Sequence, residues 1–172
     1  MLKLQNVFDD GQLQLIHEDL QKKLDSNSFV NLREEWSRFT EIPNNVNDYG
    51  SVTQCLVSTQ IKQLVRQVII KHYSHARFFD ADIFYQIWGQ NSYIKTHSDS
   101  GYAYSATLYL VKKWSVDSGG LFVYFDEKND LQCVCPEYNM LISNTKKLQH
   151  LVTPITDLAE DVRYTIQVFG KQ

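Results

Sequence analysis

The sequence contains no apolar run that approaches the roughly 18 residues needed to span a membrane. The stretch 1–8 is too short for a secretory signal peptide, so we expect a cytoplasmic protein with no membrane partner. Cysteine is scarce: Cys55, Cys133 and Cys135 are an odd number, and no two of them form a Cys-x-x-Cys pair. This argues against a disulfide framework and against a metal site of that spacing.

The chain also lacks an excess of positive charge. Its 17 lysine and arginine residues face 20 acidic residues, which gives a formal net charge of −3. Bulk electrostatics therefore gives no support to nucleic-acid binding. No internal repeat, low-complexity tract or obvious linker divides the chain, and its 172 residues suffice for one domain with a buried core.

Two segments have the periodicity of amphipathic helices. The first starts near Asp9, where carboxylates stabilise the positive end of a helix, and it ends at the polar stretch 25–28. The second spans about 58–73 and is predicted to pack on the outside of a sheet. His17 lies off the first apolar stripe and is predicted to face solvent. The two stripes are Leu13, Ile16, Leu20 and Leu24, and Ile61, Leu64, Val65, Val68 and Ile69.

Between these helices the pattern is weaker. The segment 29–39 mixes short apolar and charged stretches and does not decide between helix and strand. The segment 42–50 (Ile-Pro-Asn-Asn-Val-Asn-Asp-Tyr-Gly) is rich in turn formers and predicts a loop. Loops on rigid scaffolds often carry binding contacts, so this loop is either a lid over a site or a passive connection.

From residue 78 onward the pattern changes to short strands with turn residues between them. Eight candidates suit a double-sheet jelly roll. We predict a mainly β (α+β) chain in one domain over 1–172, with helical support and the candidate lid in 1–77 and a jelly-roll (double-stranded β-helix) core in 78–172. The strand candidates are 83–88, 93–97, 105–111, 121–125, 131–135, 140–144, 148–153 and 163–169.

The polar step His97-Ser98-Asp99 ends a run that is otherwise aromatic and β-branched. In an extended strand the side-chain period is two, so His97 and Asp99 leave the same face and can reach one ion. His150 offers a second imidazole, although a lone histidine in a sheet is more often structural. Together they make two imidazoles and one carboxylate, the set with which non-haem Fe(II) oxygenases hold their metal.

At these residues the sequence resembles the Fe(II)/2-oxoglutarate-dependent dioxygenases, in particular their prolyl 4-hydroxylase-like branch. The resemblance covers roughly 83–169, a little over half the chain, and implies that His97, Asp99 and His150 are the ligands of a catalytic Fe(II). Further pieces follow the order and rough spacing of the family. They are Ala-Thr-Leu-Tyr-Leu at 106–110, Ser-Gly-Gly-Leu at 118–121, Pro136, and Met-Leu-Ile at 140–142.

The resemblance also implies how 2-oxoglutarate binds. Arg163 falls where the family places the basic residue for the distal carboxylate, and a guanidinium offers a planar fork for two hydrogen bonds. Tyr109 matches a family tyrosine whose phenol reaches the same carboxylate. Thr165 shares the strand face of Arg163 and adds a hydroxyl donor. Tyr93 follows the family pattern ahead of His97.

The implied activity is hydroxylation of an unactivated C–H bond. The reaction requires Fe(II), consumes 2-oxoglutarate and O₂, and releases succinate and CO₂. Ascorbate is a candidate further requirement. Asp99 fills the position that related halogenases leave open for a halide, which favours hydroxylation. The substrate is expected to be a protein side chain, prolyl by analogy, or a small amino-acid-like molecule, and the sequence does not set an oligomeric state.

Two positions differ from the patterns of related branches, at 88–90 and at 169. Trp-Gly-Gln at 88–90 departs from the Tyr-x-Pro-Gly step of many relatives, which predicts a reshaped pocket floor or substrate entrance around Trp88. The base-demethylating branch has a second arginine where this chain has Phe169, so no nucleic-acid substrate is expected. The alternative function is a non-catalytic jelly-roll binding or scaffold module with a vestigial metal site, although such a site is expected to have lost a ligand or the arginine.

Overall fold

The structure, a computed structural model, describes residues 1–32, 51–72 and 80–171. The candidate lid 42–50 and most of the undecided segment 29–39 lie outside the described residues. Two helices are present in the described part, α1 (Asp10–Asp25) and α2 (Thr59–His72). The strands are β1 (Leu2–Leu4), β2 (Val30–Asn31), β3 (Val52–Leu56), β4 (Ala81–Trp88), β5 (Ile94–His97), β6 (Tyr104–Tyr109), β7 (Phe122–Phe125), β8 (Leu131–Val134), β9 (Met140–Asn144), β10 (His150–Val152) and β11 (Arg163–Gly170).

The strands form two antiparallel sheets. The large sheet has seven strands in the order β1-β9-β6-β11-β4-β3-β2, and the small sheet has four in the order β5-β10-β7-β8. This confirms the predicted jelly roll and the eight strands expected after residue 78. The large sheet also takes in β1, β2 and β3, which come from 1–77, the segment that the sequence predicts to be helical support.

Both helices pack on one face of the large sheet, as their apolar stripes predict. Asp9 caps α1: its carboxylate accepts from the Gln12 N–H at 2.8 Å, and the Gln12 side chain accepts in return from the Asp9 N–H at 3.1 Å. The core beneath the helices contains Ile16, Leu20, Ile61, Val65, Ile83, Leu108, Ile166 and Val168. In the described part of the chain, neither helix is long and apolar enough to cross a bilayer.

The prediction that His17 faces solvent is wrong. Its ring is half-buried, Nε2 lies 2.8 Å from the Tyr138 hydroxyl, and the two rings stack with centroids 5.9 Å apart. Tyr138 lies 121 residues further along the chain, so the contact that covers His17 has no local signal. Burial lowers the pKa of His17, as does the neighbouring Lys112 ammonium.

Alternation along β11 sends successive side chains to the two faces of the large sheet. Ile166 and Val168 join the core under the helices, whereas Arg163, Gln167 and Phe169 point into the space between the two sheets. That space contains a second apolar core and, beside it, an open cavity. Its core residues include Val52, Trp88, Tyr109, Phe122, Met140, Ile142, Val152 and Ile155.

Candidate functional site

A cavity of about 500 Å³ opens between the two sheets. Residues of β4, β6 and β11 line one side, residues of β5, β7 and β10 line the other, and the segment 98–102 contributes as well. The three candidate metal ligands and Arg163 all line this one cavity. The fold therefore brings together residues that lie as far apart in sequence as His97 and Arg163.

Strand pairing assembles the three candidate metal ligands. His97 ends β5 and His150 begins β10, and the two stand opposite each other in the register of these strands. Asp99 follows β5 directly, with its Oδ1 3.6 Å from Nε2 of His97 and its Oδ2 3.5 Å from Nε2 of His150. One ligand atom from each residue lies within 4.8 Å of the other two, a spacing that suits a single ion.

Backbone carbonyls orient both imidazoles towards Asp99. Nδ1 of His97 lies 2.8 Å from the Lys95 carbonyl oxygen, and Nδ1 of His150 lies 3.0 Å from the Leu148 carbonyl oxygen. A carbonyl only accepts hydrogen bonds, so Nδ1 carries the proton in each neutral ring and Nε2 keeps a lone pair for a metal. This outer arrangement is typical of histidines that ligate metals.

The protonation of His150 also suits a ligand. Burial lowers its pKa, and the neighbouring His97 lowers it further, while Asp99 acts in the opposite direction. The ring is 5% exposed and stacks on Phe122, with centroids 5.1 Å apart. Neutral imidazole and carboxylate are donors that suit Fe(II), so the residues present fit this metal.

Arg163 is a buried cation at the start of β11. Its side chain is 1% exposed, its Nη1 donates to the Gly120 carbonyl, and its guanidinium carbon lies 4.3 Å from the centre of the Trp88 ring. No carboxylate in the described part of the chain pairs with it. Burial lowers its pKa to about 10, so it remains charged at neutral pH.

Two buried donors near this cation have no hydrogen-bond partner among the described residues. They are Nε of Arg163 and Oγ1 of Thr165, which share one face of β11. Tyr109 pairs with Thr165 in the register of β6 and β11. The centre of its ring lies 5.9 Å from the guanidinium carbon of Arg163. Burial raises the pKa of Tyr109 to about 12, so its phenol keeps its proton. Unpaired buried donors around a cation fit an anionic ligand such as the distal carboxylate of 2-oxoglutarate.

The Gly119-Gly120 turn supports Arg163 directly. Both glycines have positive φ, 68° and 60°, a backbone conformation that favours glycine. A Cβ on Gly120 would lie 2.8 Å from Nη1 of Arg163, closer than real Cβ contacts. The residue thus leaves room for the guanidinium and also supplies the carbonyl that binds it, a role that its sequence motif does not reveal.

The other predicted site residues have more varied positions. Thr165 is buried beside Arg163 but does not itself line the cavity, and Tyr93 is half-buried just before β5 and does not line it either. Their roles in binding co-substrate stay predictions. Three polar residues that sequence reasoning missed line the cavity on the inner face of the large sheet: Gln86, Thr107 and Gln167. Their signal is the period of two that they share with Trp88, Tyr109 and Arg163.

No family model matches the chain, and no curated protein matches it in sequence. Solved structures match its fold, which is that of the prolyl 4-hydroxylases and other 2-oxoglutarate-Fe(II) oxygenases. A prolyl-4-hydroxylase of Pseudomonas putida has a TM-score of 0.74 at 13% identity, over 99% of this chain and 92% of its own. A prolyl hydroxylase of Trichoplax adhaerens, in complex with a peptide fragment of the hypoxia inducible factor oxygen degradation domain, has a TM-score of 0.76 at 14% identity, over 99% and 82%.

A third neighbour catalyses a different reaction. The non-haem alpha ketoglutarate dependent epimerase SnoN, from nogalamycin biosynthesis, has a TM-score of 0.69 at 12% identity, over 99% of this chain and 77% of its own. SnoN has also been solved with Fe³⁺, alpha ketoglutarate and nogalamycin RO. At such low identities these likenesses establish the fold, and the chemistry has to be argued from the residues of this chain.

Proposed function

We propose that the protein is an Fe(II)- and 2-oxoglutarate-dependent dioxygenase that hydroxylates an unactivated C–H bond and releases succinate and CO₂. One observation carries this proposal. The same cavity holds two imidazole Nε2 atoms that face one carboxylate, and a buried arginine without a counter-ion in the described part of the chain. A structural metal site needs no such arginine, and a buried unpaired cation is costly unless an anionic ligand binds it.

The residues divide into two groups in this proposal. His97, Asp99 and His150 hold Fe(II) from one side, which leaves positions for 2-oxoglutarate and O₂. Arg163 donates to the distal carboxylate of 2-oxoglutarate, with Tyr109 and Thr165 as neighbouring donors. Bound Fe(II), with its co-substrate and O₂, supplies the oxidising power that the side chains of this chain lack. The Trp88 ring packs against the guanidinium.

The cavity lining favours a neutral substrate group. Apart from the three candidate ligands and Arg163, the described lining residues carry no charged side chain. Thr107 and Gln167 form a neutral polar pair, with Oγ1 donating to Oε1 at 2.7 Å, and Tyr102 packs on Phe169 with ring centres 4.5 Å apart. A prolyl side chain in a peptide is neutral and apolar with flanking amides, and the peptide complex of the Trichoplax enzyme supports this choice.

Succinate formation tests the function. The purified protein is incubated with 2-oxoglutarate, Fe(II) and ascorbate, with and without proline-containing peptides and free amino acids. We expect slow succinate release alone, faster release with a substrate, and a product heavier by one oxygen atom. Succinate with a product of unchanged mass and inverted configuration would point to epimerisation, the reaction class of SnoN, with ascorbate as the reductant that balances the oxidation. No succinate under any condition would favour a non-catalytic module with a vestigial site.

Tyr102 is expected to affect substrate binding more than co-substrate binding. Tyr102 lines the cavity and is 38% exposed, whereas Arg163 lines it and is 1% exposed. We therefore expect Tyr102 to contact the substrate and Arg163 to contact the co-substrate. Tyr102→Ala is expected to raise the KM for the substrate about 10-fold, in the range of an aromatic contact at a binding surface. The KM for 2-oxoglutarate should stay the same, and Tyr102→Phe should behave as the wild type if the ring is what binds. Equal increases in both KM values would contradict the assignment.

A further inference from the structure

Asn144 is the last residue of β9. Its side chain forms hydrogen bonds with both the backbone N–H and the backbone carbonyl of Leu148, in the turn that follows. Asn144 is 2% exposed. Its Oδ1 accepts from the Leu148 N–H at 2.9 Å, and its Nδ2 donates to the Leu148 carbonyl at 2.9 Å. Because Oδ1 accepts a backbone N–H, the orientation of the amide is determined. The two bonds close the turn between β9 and β10.

The same Leu148 carbonyl orients His150. It lies 3.0 Å from Nδ1 of His150, and Nδ2 of Asn144 lies 3.3 Å from that nitrogen. A carbonyl oxygen has two lone pairs and can accept from both Asn144 and His150. In the opposite tautomer Nδ1 could accept from Nδ2 of Asn144, but it would also face the nearer carbonyl oxygen, two acceptors with no hydrogen between them. Asn144 therefore holds in place the group that keeps the proton on Nδ1.

His150 needs this support more than His97 does. The carbonyl that orients His97 belongs to Lys95, inside β5, between Ile94 and His97, which both pair with β10. Leu148 lies outside any strand, in a turn whose Lys147 has a positive φ of 54°. The side chain of Asn144 replaces the missing strand pairing at this point.

We propose that Asn144 is a positioning residue for the metal ligand His150. It pairs with the backbone of Leu148 and so fixes the carbonyl that keeps His150 protonated at Nδ1, with Nε2 facing the metal. The inference rests on the metal site of the proposed function, but not on 2-oxoglutarate, substrate or turnover. Loss of a group that orients a metal-ligating histidine commonly weakens metal binding by about 10- to 100-fold.

The chain contains a matched control for this interaction. Asn139, just before β9, is 4% exposed and makes the same pair of bonds with the backbone of Phe8. Its Oδ1 accepts from the Phe8 N–H at 3.0 Å, and its Nδ2 donates to the Phe8 carbonyl at 2.8 Å. Asn139 has a positive φ of 58°, so we expect alanine there to add backbone strain to the loss of the two hydrogen bonds. It contacts none of the candidate metal ligands.

Metal titration separates positioning from general stability. Mn(II) is titrated into the wild type, Asn144→Ala, Asn144→Leu and Asn139→Ala, and the unfolding midpoint of each protein is measured. Leucine fills the buried volume that alanine leaves empty. We expect the Kd for Mn(II) to rise about 10- to 100-fold in both Asn144 variants and to stay unchanged in Asn139→Ala. Equal affinity in all four proteins would overturn the inference, while wild-type binding itself would uphold the metal site.

A second measurement needs no metal. Long-range ¹H–¹⁵N spectra of the metal-free protein near neutral pH report which ring nitrogen of each histidine carries the proton. For His150 we expect Nδ1–H in the wild type and a mixture of tautomers in Asn144→Leu, with His97 unchanged. A wild-type His150 protonated at Nε2 would refute the role of Asn144, whether or not the variants fold. A wild type that binds no Mn(II) would refute the metal site and this role together.

Discussion

Alanine at His97 or at His150 is expected to abolish succinate formation and leave the fold largely intact. Each substitution reduces the ligand set from three side chains to two, a larger loss than that of an outer partner, which costs about 10- to 100-fold in metal affinity. The fold should survive because a catalytic ion with open positions contributes less to folding than a closed structural site. Mn(II) titration measures the lost affinity, and the unfolding midpoint of the metal-free variants measures the fold.

The two variants should differ in stability, which provides an internal check. His150 is 5% exposed and stacks on Phe122, so its removal costs packing, whereas His97 is only half-buried. His17→Ala is the control, because His17 is a half-buried histidine with a 2.8 Å contact to the Tyr138 hydroxyl, outside the candidate site. The His17→Ala protein should be less stable than the wild type and should bind Mn(II) with the same affinity. Full turnover in both His97→Ala and His150→Ala would show that the metal assignment is wrong.

The strands of the core could be predicted because each carries its own signal. β4 has eight residues, most of them aromatic or β-branched, and turn residues separate it from β5. β1 and β2 have three and two residues, too few to show a period. They exist because a neighbour pairs with them, as Leu2 does with Ser143 and Val30 with Gln54. Pairing of this kind depends on the tertiary structure and leaves no local pattern.

The residues of the candidate site likewise include some that the sequence could predict and some that it could not. The His97-x-Asp99 step is local and visible in the sequence, and resemblance to a family added His150 and Arg163. The carbonyls that orient the imidazoles, the Gly120 carbonyl on Arg163 and the amide of Asn144 could not be predicted. Each depends on the exact register of strands and the path of a turn.

Arg163→Ala is expected to weaken 2-oxoglutarate binding by about 30-fold to several-thousand-fold. The distal carboxylate would lose its cationic partner inside a buried site, and loss of one member of a buried charge pair costs about 2–5 kcal/mol. The guanidinium is held for this role by the Gly120 carbonyl and the Trp88 ring, and its Nε has no partner among the described residues. Titration of 2-oxoglutarate into the Mn(II)-loaded protein measures the effect.

Two further substitutions separate charge, geometry and packing at this position. Arg163→Lys should recover only part of the lost affinity, because an ammonium is a point charge and cannot donate two parallel hydrogen bonds. Arg163→Met fills a similar volume without charge. Since Arg163 has no counter-ion in the described part of the chain, the methionine variant should be as stable as the wild type without co-substrate, or more stable.

Metal binding provides the control for all three Arg163 variants. The candidate ligands are His97, Asp99 and His150, and none of the contacts that orient them involves Arg163. Mn(II) affinity should therefore match that of the wild type while 2-oxoglutarate affinity falls. If Arg163→Met instead kept full affinity for 2-oxoglutarate, the guanidinium would not bind the co-substrate. Other groups of the protein would then bind 2-oxoglutarate, and the unpaired cation would need another explanation.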